Sequence, residues 1–163
     1  MAKELSLKES ITLALQSKKI KFNTNTKGDT CLIDCKPGSS HIGGSSIYIS
    51  VKGNDYVKFY AYPIREIDSV RRKDVLEALN KKNNEYKYVK GMIDKDGDIL
   101  FEYDTKVCGT IYKSTSMIME LFDLVLSIMD LSYTEVKRVL TKEVVYEKEP
   151  EFNFNLFNDN DDE

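Results

Sequence analysis

The sequence has a single histidine, three cysteines and no long apolar run. Each scarcity removes a class of function. With only His41, general acid–base chemistry would have to rest on carboxylates, and no group of them stands out beside a nucleophile. Cys31, Cys35 and Cys108 are an odd number of thiols, which argues against a disulfide framework. The longest apolar stretch, residues 117–131, is interrupted by Glu120, Asp123 and Asp130. It is shorter than the ~20 apolar residues that a membrane-spanning helix needs. The opening MAKELSLKES has no apolar segment of the kind that drives secretion. The expectation is a cytoplasmic protein that is not an enzyme, with no cofactor, no metal site and no membrane partner.

What is present is one domain's worth of chain, 163 residues with 41% hydrophobic content. The net charge of -3 points to neither nucleic acid nor an anionic membrane, but it is unevenly spread. Residues 147–163 hold seven acids and one lysine, a balance of -6 that leaves +3 on residues 1–146. The expected organisation is therefore a single domain over 1–146, followed by an acidic, Asn-rich tail over 147–163 with no fixed structure of its own.

Hydrophobic periodicity sketches the domain. Ser6 and Glu9 have capping-box spacing, and Leu7, Ile11, Ala14 and Leu15 follow as a helical stripe. Residues 23–29 are polar and read as a loop. Three period-2 segments come next, around Cys31/Ile33/Cys35, Ile47/Ile49/Val51 and Val57/Phe59/Ala61, which is the pattern of half-buried antiparallel strands. Gly53-Asn54-Asp55 reads as a hairpin turn, and Pro63 ends the third strand. A helix with Ser69 as its cap runs to about Lys82 on Val75, Leu76 and Leu79. A strand over residues 86–93, an Asp96-Gly97 turn and a strand through Ile99, Phe101 and Tyr103 form a second hairpin. A third helix covers about residues 115–130, and a shorter amphipathic one covers residues 132–145. The fold class is thus α+β: one antiparallel five-stranded sheet in the order α-βββ-α-ββ-α, with an extra C-terminal helix.

Several of these features together resemble the YbjN family of small bacterial proteins. They are the strand ending Phe59-x-x-x-Pro63, the helix ending Ala78-Leu79-Asn80-x-x-Asn83, and the strand with Tyr86 and Tyr88. The turn Ile93-Asp94-x-Asp96-Gly97 and the apolar third helix complete the set. The resemblance spans roughly residues 5–130 and leaves the segment after Ser132 unaccounted for. It implies a type III secretion chaperone-like fold, no enzymatic site, and a dimer that binds a partner or regulates sensory transduction.

The residues themselves suggest where a partner would sit. Tyr48, Tyr60 and Tyr62 share the polar parity of neighbouring strands, and tyrosine suits interfaces because its ring is apolar and its tip is wet. A helix of the same chain could equally cover them. The third helix carries apolar residues almost all round, more than the ~100° stripe that one core contact needs. Met119 and Leu126 are therefore candidate homodimer contacts. Phe152, Phe154 and Phe157 punctuate the acidic tail as a docking segment would. The favoured function is a non-enzymatic module, chaperone-like or regulatory, that holds a partner polypeptide as a homodimer. The alternative is a regulator that binds nucleic acid or a nucleotide through the basic helix face of Arg71, Arg72 and Lys73. That face has few aromatics among its charges, so nucleic acid is the lesser expectation.

Three further patterns read as structure. Asp94-Lys95-Asp96-Gly97-Asp98 hints at a calcium loop, but positions 6 and 12 would be Ile99 and Thr105, where an EF-hand needs Gly and Glu. It reads as a turn. Cys31 and Cys35 lie along one strand face and read as small core residues, since zinc sites usually place their cysteine pairs on turns. The His41–Ser46 loop precedes a strand and lacks the Lys and Ser/Thr of a phosphate-binding loop.

Overall fold

The computed structural model describes residues 5–142. Helix α1, Leu7–Ser17, opens on the capping box: Glu9 N–H donates to Ser6 Oγ, and the Ser6 amide donates to Glu9 Oε2 at 2.8 Å. Its stripe of Leu7, Ile11 and Leu15 is fully buried. Six strands follow in three hairpins: β1 (Lys21–Lys27), β2 (Thr30–Lys36), β3 (Ile47–Lys52), β4 (Tyr56–Ile64), β5 (Lys90–Ile93) and β6 (Ile99–Lys106). Helix α2, Ser69–Glu85, connects β4 to β5, and α3, Ile111–Leu140, closes the chain. The sheet is ordered β1-β2-β3-β4-β6-β5, and every neighbouring pair is antiparallel. The expected pairing of the Val57/Phe59/Ala61 strand with the Ile47/Ile49/Val51 strand is present.

Four sequence expectations are corrected. The sheet has six strands rather than five, because residues 21–27 pair with β2 where a loop was expected. This edge strand, KFNTNTK, is exposed at every position except the half-buried Phe22, so no one-sided burial forces an apolar alternation on it. Residues 111–140 are one 30-residue helix rather than two. Ser127 and Thr134 donate their hydroxyls to carbonyls one turn back, so these polar side chains ride within the helix instead of capping a break. The strand expected over residues 86–93 is only Lys90–Ile93, since α2 runs on to Glu85 and Tyr86 caps it. The cap at the start of α2 is Asp68, whose carboxylate accepts from Val70 N–H at 3.0 Å, and not Ser69.

All three helices lie on one face of the sheet. The inner-face residues, among them Ile33, Ile49, Phe59 and Phe101, are fully buried there. Burying one such side chain contributes ~1.5–3 kcal/mol. Phe122 of α3 meets Phe59 at a ring separation of 6.4 Å, which places α3 across the middle of the sheet. Gly91 on β5 lets α2 come close, and Asn83 fastens it there. The Asn83 amide accepts from Gly91 N–H at 2.7 Å and donates to Gly91 O at 2.9 Å, occupying the backbone of that sheet edge. The opposite edge, β1, carries a lysine at each end, a common protection against strand addition.

The second hairpin is built as a turn. Asp94 Oδ1 accepts from the amides of Asp96 and Asp98, and Gly97 takes the positive φ (84°) that the turn demands. Asp98 is itself buried and bound to Arg65 and to the Glu66 amide. Among the described residues no group of three or more His, Cys, Asp or Glu side chains could hold a metal ion. Nor is any described helix long and apolar enough to cross a membrane.

Candidate partner-binding surface

Because the helices share one side, the other side of the sheet is left without a covering element among the described residues. Strand parity dictates what it displays. Next to the buried Ile47, Ile49 and Val51 come Tyr48, Ser50 and Lys52; next to Val57, Phe59 and Ala61 come Lys58, Tyr60 and Tyr62. The β3–β4 register sets Tyr48 opposite Tyr60, and their rings stack at 5.2 Å with a 24° tilt. Tyr60 meets Tyr62 edge to face at 6.2 Å. The Arg65 guanidinium lies 4.6 Å from the Tyr62 ring centre, and the Lys58 ammonium lies 5.9 Å from that of Tyr60. Such cation–ring contacts help to hold the rings in place.

The three tyrosines are half-buried, their rings pack on one another, and no described helix covers them. Together with Ser50, Lys58, Leu100 and Glu102, Tyr60 and Tyr62 line a shallow cleft on this face. Burial, followed by the neighbouring phenols of Tyr62 and Tyr48, pushes the Tyr60 hydroxyl above its ordinary pKa, so it is a neutral donor and acceptor at neutral pH. Lys58 pairs with Glu102 at 2.5 Å, and that hydrogen bond holds its ammonium above the usual lysine range. The Tyr56 hydroxyl donates to Asp104 at 2.6 Å. Asp34, opposite Tyr48 on β2, keeps one buried carboxylate oxygen with no hydrogen-bond partner among the described residues.

The register of the strands gives this face a further property. The outer face carries Lys21, Lys27, Lys36, Lys52, Lys58 and Lys106 against Asp34, Glu102 and Asp104. Lys90 shares the parity but bends round the edge to the Asn83 and Tyr86 carbonyls at the end of α2. The face is therefore basic and aromatic at once. Single strands whose lysines lie among polar residues do not show this; only their stacking in one sheet does.

The other candidates fall in different places. Met119 and Leu126 are 7% and 8% exposed, packed within the chain's own core by the sheet and the flanking helices. The leucines that α3 does expose are Leu124 (41%) and Leu131 (52%), two turns apart on one stripe. Phe152, Phe154 and Phe157 lie outside the described residues. On α2, Arg72 and Lys73 are exposed, while Arg71 reaches across to the Val139 and Lys142 carbonyls at the end of α3. The basic patch of α2 is thus partly engaged in packing and is diluted by Asp74 and Glu77. His41 and the Gly/Ser loop are also structural. Asp130 of α3 holds both the His41 ring, at 2.6 Å, and the Ile42 amide.

The sequence motifs acquire physical roles in this geometry. Asn83 clasps β5, Ala78 and Leu79 are buried under α2, and Asp94 to Gly97 form the turn that orders Asp98. No curated protein matches the chain. A family model for YbjN, described as "Putative bacterial sensory transduction regulator", matches residues 40–138. That region starts later than the resemblance over residues 5–130 suggested, taking in β3 to β6 with α2 and most of α3 and omitting α1, β1 and β2. It covers more than half of the sequence, and the chain belongs to the YbjN family.

Proposed function

We propose that this protein is a non-enzymatic, regulatory binding module that holds a partner polypeptide on the outer face of its sheet. The observation that carries the reading is the stacked row of Tyr48, Tyr60 and Tyr62, backed by cations and crossed by no described helix. Tyrosine rings give contact area at little entropic cost, and their hydroxyls serve peptide groups as donor or acceptor. The family's description as a sensory transduction regulator supports a regulatory role. The resemblance to secretion chaperones adds the sense of a surface that holds an unfolded segment. The working unit is a homodimer, for which Leu124 and Leu131 of α3 supply exposed apolar contacts. The domain is residues 1–146, with residues 147–163 as a separate acidic segment, and the protein acts in the cytoplasm.

The test is affinity capture from native lysate with the wild-type protein, a Tyr60→Ser/Tyr62→Ser variant and an Arg72→Glu/Lys73→Glu variant. A protein partner held by the wild type and the helix variant, but lost by the tyrosine variant, supports the reading. A partner retained by the tyrosine variant overturns it. Nucleic acid released only by the helix variant would instead establish the basic face of α2 as the working surface. Light scattering at high micromolar concentration tests the dimer, and a monomer there refutes it.

A further inference from the structure

We propose that the chain's own acidic C-terminal segment, residues 147–163, docks in cis on the outer face of the sheet, over Tyr48, Tyr60 and Tyr62. This rests on the reading of that face as the partner surface and adds the partner's chemistry: an acidic polypeptide segment with spaced aromatic residues, for which the tail is the resident competitor.

Charge is the first argument. The outer face sets six lysines against three carboxylates. Two of its acids are engaged locally, Glu102 by Lys58 and Asp104 by the Tyr56 hydroxyl, and with Asp34 counted as well the lysines still exceed the carboxylates by three. The tail carries seven acids and one lysine. The surfaces around α2 match it less well. The groove between α2 and α3 mixes Asp74, Glu77 and Glu135 with Lys81, Arg138 and Lys142. Helix α2 itself offers only Val70 and Leu76 as exposed apolar side chains.

Side-chain chemistry is the second argument. Phe152, Phe154 and Leu156 alternate with Asn153 and Asn155, so an extended tail presents apolar groups on one side and amides on the other. The sheet face offers rings, Leu100 and the exposed Met92 to the first. Acids at 147, 149 and 151 and again at 159 and 161–163 flank the aromatic stretch. The lysines likewise flank the tyrosine row, at Lys36 to one side and Lys52 and Lys106 to the other.

Geometry is the third argument. The described chain ends at Lys142, whose carbonyl is held by Arg71 in the first turns of α2. That corner adjoins the turn of the second hairpin, where the Ile67 amide donates to Gly97 O and Arg65 pairs with Asp98. Arg65 lies over Tyr62, so the chain leaves the domain at the end of the sheet where the tyrosines stand. At ~3.3 Å per extended residue the seventeen residues of the tail reach ~55 Å, more than twice the ~24 Å width of six strands spaced ~4.8 Å apart. A tether this short holds the tail at an effective concentration of about millimolar, which favours docking in cis.

The experiment uses full-length protein with Cys108→Ser and Asn158→Cys, spin-labelled at the new thiol; Cys31 and Cys35 are buried. Amide signals should be lost selectively along the outer-face positions of β3, β4 and β6. Replacing Phe152, Phe154 and Phe157 together by Ser should restore them. A synthetic peptide of residues 147–163 should bind that triple variant roughly tenfold more tightly than wild type if the native tail is docked nine-tenths of the time. Loss confined to α2, no loss beyond the residues that adjoin the tail, or loss only between molecules would each overturn the proposal. Partner capture separates the two readings. If the label misses the face while Tyr60→Ser/Tyr62→Ser still releases a partner, only this inference fails. If the label finds the face while those substitutions release nothing, only the partner reading fails.

Discussion

Gly91→Ala should destabilise the domain, although the position is a strand residue with ordinary backbone geometry. Gly91 does not have a positive φ, so alanine meets no backbone strain there. By backbone entropy alone the substitution would stabilise by ~0.4–1 kcal/mol. Packing reverses the sign. A Cβ at this position would sit 2.7 Å from Leu79 Cδ2 and 2.8 Å from Phe101 Cε1. Both side chains are fully buried, 1% and 0% exposed, so neither can swing into solvent. Overpacking of this kind costs ~1–3 kcal/mol. It would also push α2 away from β5 and stretch the paired Asn83 bonds to Gly91. The expected net loss is about 1–2 kcal/mol, a fall in Tm of roughly 3–8 °C for a domain of this size. Urea unfolding followed by far-UV circular dichroism measures it, with a lower midpoint and an unchanged slope. In a Leu79→Ala background, itself ~2–5 kcal/mol less stable, Gly91→Ala should cost markedly less, because one of the two crowding side chains is gone. Equal or greater stability of the single variant would refute the close seating of α2 on the sheet.

Other consequences are open to equally direct tests. Arg65 first, then the Glu66 amide, hold the Asp98 carboxyl below the usual carboxylate range. Its stabilising share is therefore present above the ordinary carboxylate pKa of about 4 and lost as pH falls through the lowered value. Urea midpoints should place Asp98→Asn below wild type at pH 7, with the gap closing in acid; a gap independent of pH would refute the pairing. Burial, with Asp34 nearby, pushes the Cys35 thiol up to about 12, so alkylation at pH 8 followed by mass spectrometry should modify the exposed Cys108 and spare Cys35. Met119→Lys should unfold the chain rather than merely separate a dimer, since it places an unpaired charge at a site only 7% exposed. A folded variant of lower mass by light scattering would show instead that Met119 faces another molecule.

How much of this could be read from the sequence depended on whether burial was one-sided. Strands β3 and β4 were legible because Ile47, Ile49, Val57 and Phe59 sit on the covered face and their neighbours do not. Strand β1 was not, because it lies at the sheet edge, beyond most of the helical cover, and its Asn/Thr run alternates nothing apolar. The Asp-Gly turn was legible from local chemistry alone. The length of α3 was hidden by Ser132, which looks like a helix start but is buried within a continuous helix. The same blindness affected the site. The tyrosines could be placed on the outer parity, yet whether a helix covered them depended on which side the crossovers took. The nearly all-round apolar surface of α3 suggested a second molecule, whereas sheet, α1 and α2 together account for Met119 and Leu126.

The composition of the open face gives a physical reason for it to be covered only part of the time. A face meant for permanent burial would repeat the inner one, with Ile, Val and Phe and no charge. A face meant for water would not stack Tyr48 on Tyr60 beside Leu100 and Met92. Tyrosine with lysine tolerates both conditions: the rings lose area to an occupant, and the hydroxyls and ammonium groups stay hydrated when it leaves. The inner face is different because α1, α2 and α3 leave its central residues no contact with solvent. An acidic, aromatic segment tethered beside Tyr62 would then lower a partner's apparent affinity by the fraction of time it occupies the face. Screening by salt weakens the attraction of an exposed acidic tail for lysines but hardly touches stacked rings. Spin-label contacts in the tail should therefore weaken with added salt while the Tyr48–Tyr60 stack persists. If salt left the tail in place, its aromatic residues rather than its charges would hold it, and the lysines of the outer face would need another explanation.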